Sequence, residues 1–283
     1  MPPARGYPVT DAQVHIWADD RPDRPWPSWG SARAHRFPAF TLDDLLREMD
    51  AAAVARAVLV PPSFEGDRND VVLAAAEHHP DRLAVMARFD PTADGAAHRL
   101  RALLDRPAVR GFRMTYHLPQ MRAQLLAPAA DWFWATLAAH RRPVMIYAPG
   151  LLPEVGRIGA AHPGLRIVVD TLGLSLAMRD DDLDAPIAAL TALAANPDVA
   201  VKATALPAHV SDPYPFRSLA PRLRTVLDAF GAQRVFWASD LTRVPHPYRQ
   251  IVDYPAELGC CTATELTWLM GRGISTWLDW PTE

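Results

Sequence analysis

The chain alternates short, nearly unbroken apolar runs with longer segments whose apolar residues recur at helical spacing. The runs cover 12–17, 55–60, 83–89, 109–116, 143–148, 165–170, 199–203 and 235–240. Several consist almost wholly of Val, Ile, Leu, Met and Ala, the pattern of strands covered on both faces. The intervening segments predict helices. At Thr41-Leu-Asp-Asp44 a hydroxyl precedes an acid by three residues, which reads as a capping box, and Leu42, Leu45, Leu46 and Met49 supply the stripe that follows. Similar patterns predict helices over 70–79, 96–104, 129–140, 153–162, 184–195 and 216–230. A last helix opens at Thr262, with Glu265 at the box position, and runs to Met270.

Strands alternating with helices in this number predict an α/β fold, a (β/α)8 TIM barrel. An open doubly wound sheet would carry a glycine-rich phosphate turn after its first strand. Here the first run is followed by A-D-D-R-P-D-R-P-W-P-S-W-G. With no internal repeat or linker, residues 1–283 read as one domain. The irregular stretch 18–40, rich in proline and carrying Trp26 and Trp29, is long for a loop in a compact domain. In a barrel it would lie over the site, at the C-terminal end of the first strand.

Charge and composition narrow the partners. A net charge of −3 without long runs of one sign argues against a nucleic-acid surface. No stretch approaches the roughly 20 apolar residues of a membrane span, and M-P-P-A-R-G-Y-P has no apolar signal-peptide core. The cysteines are the neighbours Cys260 and Cys261, which rarely pair. A reducing cytoplasm is the expected compartment. Trp277 and Trp280 fit either a homo-oligomer interface or a tail packed on the barrel.

Barrel enzymes draw their chemistry from the C-terminal strand ends. The polar residues there are Gln13 and His15, then Arg113, Tyr116 and His117. Tyr147, Asp170 and Thr171, Lys202 and Thr204, and Ser239 and Asp240 follow, with Arg243 and His246 just beyond. Singly, each has an ordinary reading. A strand histidine is often a hydrogen-bonded core residue. Arg113 and Lys202 can pair with acids, Tyr147 can be an amphipathic core residue, and Asp170 fits a cap on the following turn better than a catalyst. His35, His117 and His246 read as loop residues. Together, His15, Arg113, Tyr147, Lys202 and Asp240 would converge on one mouth, and buried charges need partners.

The segments D-A-Q-V-H-I-W, V-R-G-F-R-M, V-V-D-T-L-G, V-A-V-K-A-T, F-W-A-S-D and L-M-G-R-G-I-S-T-W-L, in this order, resemble the amidohydrolase superfamily. Within it they are similar to the amidohydrolase-2 and lactonase-like branch. The resemblance implies a barrel hydrolase. It matches His15 to the second histidine of a His-x-His pair and Asp240 to the strand-eight aspartate that takes a proton from water. It matches Arg113 to an arginine that binds an acidic or carbonyl group of the substrate, and Lys202 to a position the branch often fills with lysine. This chain departs from the pattern at Gln13, where the first metal histidine would stand, and at Thr171, where a histidine commonly follows the aspartate. Tyr147 lies where metal-free lactonases resembling 2-pyrone-4,6-dicarboxylate lactonase use a tyrosine.

A catalytic zinc usually has three protein ligands. His15 and Asp240 supply two, the Gln13 amide is a weak ligand, and an ammonium at Lys202 repels a cation. The expectation is therefore no cofactor and no tightly bound metal, with a single divalent ion at His15 and Asp240 as the alternative. Without a metal, water keeps a pKa of about 15.7 rather than about 7, so the electrophile must be activated. The expected reaction is hydrolysis of a lactone or similar cyclic ester of a small carboxylic acid. Asp240 would act as base, His15, Lys202 and Arg113 as oxyanion donors, and Tyr147 as a donor to the same oxygen or to a substrate carboxylate. Gln13 and Thr171 would line the substrate. Trp26 and Trp29 would cover a flat ring or simply anchor the loop. The competing readings are a metal-dependent decarboxylase of an aromatic acid and a non-catalytic barrel that binds a small acid.

Overall fold

A computed structural model describes residues 7–28, 30, 36–37, 39–125 and 127–280. Eight parallel strands follow one another around the barrel in chain order. They are β1 (Thr10–Val14), β2 (Arg56–Leu59), β3 (Leu83–Ala87), β4 (Val109–Thr115), β5 (Val144–Tyr147), β6 (Ile167–Val169), β7 (Val199–Thr204) and β8 (Val235–Ala238). All eight predicted runs contain a strand, and the structure is the expected (β/α)8 architecture. Asp11 joins the two ends of the sheet. Its carboxylate accepts from the Ser239 N–H at 2.9 Å and the Tyr248 hydroxyl at 2.8 Å, while the Asp240 N–H donates to the Gln13 carbonyl at 3.1 Å.

Alternation along the strands separates two cores. Val58 of β2 and Phe236 and Ala238 of β8 point into the barrel, with Ala84, Met145, Val168 and Ala200. Ala57, Leu59, Val235 and Trp237 face the surrounding helices. Those helices are α1 (Leu42–Ala52), α2 (Asp70–His78), α3 (Ala96–Leu104), α4 (Pro119–Leu125), α5 (Asp131–Ala139), α6 (Leu152–Ala161), α7 (Asp184–Thr191), α8 (Leu219–Phe230), α9 (Tyr248–Glu257), α10 (Ala263–Thr267) and α11 (Gly273–Trp277). Both predicted capping boxes form, Thr41 with Asp44 and Thr262 with Glu265. Sequence reading misses α4 and α9. Pro255 inside α9 reads as a break, since it removes an N–H from the helix ladder.

The predicted last helix ends at Thr267 and gives way to a wide turn over Trp268–Arg272. Two glycines allow this. A Cβ on Gly271 would stand 2.6 Å from the Pro8 carbonyl oxygen, and one on Gly273 would stand 2.9 Å from the Trp268 carbonyl oxygen. The chain then closes the N-terminal end of the barrel, with Ile274, Leu278 and Trp280 joining the inner core. Arg56 lies over the Trp280 ring at 3.5 Å, and Trp277 packs against Phe236. Trp280 is thus buried in a packed tail, and Trp277 is half-buried beside it.

The first loop is tied down by its own polar groups. The Trp26 N–H donates to Asp20 at 2.8 Å, its indole N–H donates to the Ala18 carbonyl at 3.2 Å, and its ring packs 5.0 Å from Phe64. Arg24 bridges to Glu65 and Asp70. Among the described residues, no helix is long and apolar enough to cross a membrane.

Candidate active site

His15 leaves β1 at its C-terminal end. Its Nδ1 lies 2.6 Å from the Val60 carbonyl oxygen, and a carbonyl only accepts, so Nδ1 carries the hydrogen. That directs Nε2 at Asp240, whose Oδ1 is 3.2 Å away. Arg243 approaches the other oxygen, with Nε 3.6 Å from Oδ2. Asp240 takes a positive φ of 46° just after β8. Thr171 (52°) and Ala205 (54°) do the same after β6 and β7. Such conformations cost side-chain-bearing residues about 1–3 kcal/mol each. Their clustering at the mouth of the barrel marks a rim shaped for something other than stability.

Below this pair lies a charged triad. Arg113 Nε donates to Asp170 Oδ2 at 3.0 Å, and Lys202 Nζ lies 2.8 Å from Asp170 Oδ1. Both Asp170 and Lys202 are fully buried. Burial pulls the Lys202 ammonium below its ordinary pKa, against the attraction of Asp170. Arg113 also donates to Thr115 Oγ1 at 2.6 Å, which fixes its fork toward the mouth. Tyr147 stands beside it, with the guanidinium 5.6 Å from the ring centroid. Burial raises the Tyr147 pKa above the usual phenol value, so its hydroxyl remains a donor at neutral pH.

One cavity of about 30 Å³ collects Gln13, His15, Arg113, Tyr147, Thr171 and Asp240, together with Ser63, Thr115, His117 and Arg243. Six of the predicted site residues therefore share a wall. The buried Gln13 Oε1 has no hydrogen-bond partner among the described residues, which leaves an acceptor for a ligand or water. Lys202 does not line the cavity; its ammonium is spent on Asp170. Trp26 does not line it either and acts as the anchor of the first loop. Trp29 and His35 lie outside the described residues. Asp170 is a counter-ion for two cations rather than only a turn residue, and His117 comes to the cavity wall. Ser63 and Thr115 escape sequence reading because nothing local distinguishes them. Asp11 also escapes sequence reading, since its partners Ser239 and Tyr248 come from the far end of the chain. Its burial pushes its carboxyl up to about 6.

Comparison with known proteins fits this geometry. The family model described as amidohydrolase matches residues 10–271. The chain belongs to the amidohydrolase family. It is thus a hydrolase-type enzyme of that family's lactonase-like branch. It is 28% identical over 255 residues to an L-fucono-1,5-lactonase of Burkholderia ambifaria, covering 89% of this chain and 86% of the relative. A Burkholderia multivorans amidohydrolase structure with bound zinc superposes with a TM-score of 0.80 at 25% identity, covering 97% of this chain and 100% of the other. A putative 2-pyrone-4,6-dicarboxylic acid hydrolase from Pseudomonas putida shares the fold, with a TM-score of 0.78 at 22% identity and coverage of 98% and 99%.

The zinc in one of these amidohydrolases raises the question of whether the residues of this chain fit the metal. Among the described residues, no group of three or more His, Cys, Asp or Glu side chains is placed to hold an ion. Gln13 and Thr171 stand where the resemblance expects two histidines, and Asp170 below the cavity is engaged by Arg113 and Lys202. A site left with His15 and Asp240 as its two donors does not fit a tightly held zinc.

Proposed function

We propose that this amidohydrolase opens a lactone or comparable activated cyclic ester of a small carboxylic acid, without a metal. The observation that carries the proposal is the His15–Asp240 contact. His15 Nδ1 gives its hydrogen to Val60, which turns Nε2 toward Asp240 Oδ1 at 3.2 Å and holds the carboxylate at the cavity wall. Asp240 takes a proton from the water that attacks the ester carbonyl, and the carbonyl carbon becomes tetrahedral. The ring C–O bond then breaks, and the proton passes to the departing ring oxygen. The products are a free hydroxyl and a carboxylic acid, which gives its proton to solvent and leaves as the carboxylate. General-base help of this type is worth roughly 10²–10⁴-fold.

The oxyanion needs preorganised donors in place of a metal. Arg113, held by Asp170 and Thr115, and the protonated Tyr147 hydroxyl flank the cavity. Removing one such donor typically costs about 2.7–4 kcal/mol of transition-state stabilisation. Lys202 acts through Asp170, holding the carboxylate that aims Arg113, and does not touch substrate. Gln13 and Thr171, free of metal duty, contact the substrate or the attacking water. A small carboxylate-bearing molecule suits the Arg113 fork at the mouth. The L-fucono-1,5-lactonase among the relatives supports a lactone as the reacting group.

The test is a panel of 1,4- and 1,5-lactones of sugar acids, pyrone carboxylates and the matching lactams, with proton release followed by an indicator dye. Turnover of at least one lactone with the lactams inert is expected. Turnover of lactams, or carbon dioxide release from an aromatic acid, would overturn the proposal.

A further inference from the structure

The reacting cavity, at about 30 Å³, has room for a water and one functional group, and ligand sites are ordinarily about 300–1,000 Å³. The rest of a substrate must go elsewhere. A second cavity of about 240 Å³ adjoins the first and shares Ser63, Arg113 and Thr115 with it. Arg88, at the C-terminal end of β3, is its new element. Arg88 is buried, with 7% of its surface exposed. One arm of its fork donates to Thr115 Oγ1 at 3.2 Å, the same hydroxyl that Arg113 holds.

Arg88 is incompletely satisfied. Its buried Nε has no hydrogen-bond partner among the described residues, and its nearest acid, the half-exposed Asp67, stands 3.8 Å away. The buried Tyr116 hydroxyl on the same wall also has no hydrogen-bond partner among the described residues. Asp90, another wall residue, has its Oδ1 engaged by the N–H and hydroxyl of Thr92. Arg88, Arg113 and Arg243 line the two cavities with Asp67, Asp90 and Asp240, and Lys202 pairs with Asp170 below, so the charges balance and what sets Arg88 apart is its open, buried donor. Burial and the neighbouring Arg113 pull the Arg88 pKa down to about 10, so it remains a cation at neutral pH. A buried guanidinium with open donors is a bidentate site for an oxyanion.

We propose that Arg88, with Thr115 and Tyr116, forms a second anion subsite that takes an oxyanionic group of the substrate remote from the ester. The inference rests on the proposed ester-opening role of the neighbouring cavity and adds a substrate requirement to it. The acid carries a charged group on the β3–β4 side of its ring, and Arg113 sits between that group and the reacting carbonyl. Arg88 is then a specificity residue.

Binding without turnover tests this. Isothermal calorimetry would compare benzoate, isophthalate and 3-phosphonobenzoate on the wild type and on Arg88→Met and Tyr116→Phe, with folding checked by thermal unfolding. The wild type should bind at least one doubly charged ring roughly ten- to hundredfold tighter than benzoate. The tighter of the two identifies the subsite as one for carboxylate or for phosphate-type groups. Arg88→Met should abolish the preference, and Tyr116→Phe should reduce it in a chain that keeps every charge. Equal binding of all three rings by the wild type would overturn the proposal. So would a preference that survives in Arg88→Met, or in Tyr116→Phe should Arg88→Met fail to fold. Failure of the ester-opening proposal would show instead as absent turnover with the preference intact.

Discussion

Asp170→Asn strikes the centre of the charged triad. The substitution keeps the shape and removes the charge that balances Arg113 at 3.0 Å and Lys202 at 2.8 Å. Neither Asp170 nor Lys202 has access to water, so solvent cannot compensate. Orphaning a buried charge in this way costs about 3–5 kcal/mol, a large share of the roughly 5–15 kcal/mol that holds a native protein together. The cost has a pH signature. Burial already holds Lys202 below its ordinary pKa of 10.5, and Asp170 is what pulls it back up. In the variant the folded value falls further, so the folded chain binds fewer protons than the unfolded chain below about 10.5. Stability then climbs as pH rises through that window. Urea unfolding at pH 6, 7.5 and 9 would measure both effects. The variant should lose several kcal/mol at pH 6 and less at pH 9, and Lys202→Met in the same background should restore part of the loss. A cost below about 1 kcal/mol, or one that is the same at every pH, would refute the reasoning.

Asp11→Asn removes a buried carboxyl held up at about 6 rather than 3.8, where stability falls by about 3 kcal/mol as pH rises from 4 to 7. The variant should flatten that part of the stability curve in urea titrations, whereas Asp11→Ala should lose at least about 1–3 kcal/mol by orphaning the Ser239 N–H and Tyr248 hydroxyl. Tyr147→Phe should lower kcat/KM for the best lactone by about 100-fold, with an unchanged unfolding midpoint in the same titration. Gln13→His with Thr171→His should create stoichiometric zinc binding, read by elemental analysis after dialysis, because it adds two donors beside His15 and Asp240.

The barrel was legible because each strand is a compact apolar run, and closing eight of them is a general solution independent of detail. The two capping boxes were legible because Thr41 and Thr262 act on residues three positions away. Gln13, His15, Arg113, Tyr147, Thr171 and Asp240 could be grouped from strand ends alone, since the barrel delivers them to one rim. Partners from distant elements were not legible. Lys202 read as a donor to substrate, but Asp170 on the neighbouring strand takes its charge below the cavity. Arg88 lies unremarked in the run 83–89, and it acquires meaning only when the β3–β4 register sets it beside Thr115. Trp277 and Trp280 could be assigned to a packed tail only after Gly271 and Gly273 were seen to turn the chain under the barrel.

The most direct test compares chelator-treated wild type with Asp240→Asn on the best lactone substrate, with metal content measured on both. The account predicts that the metal-depleted wild type keeps its full kcat/KM and that Asp240→Asn loses about 100-fold or more. A rate that collapses on chelation and returns with zinc, or an Asp240→Asn enzyme of undiminished activity, would contradict it.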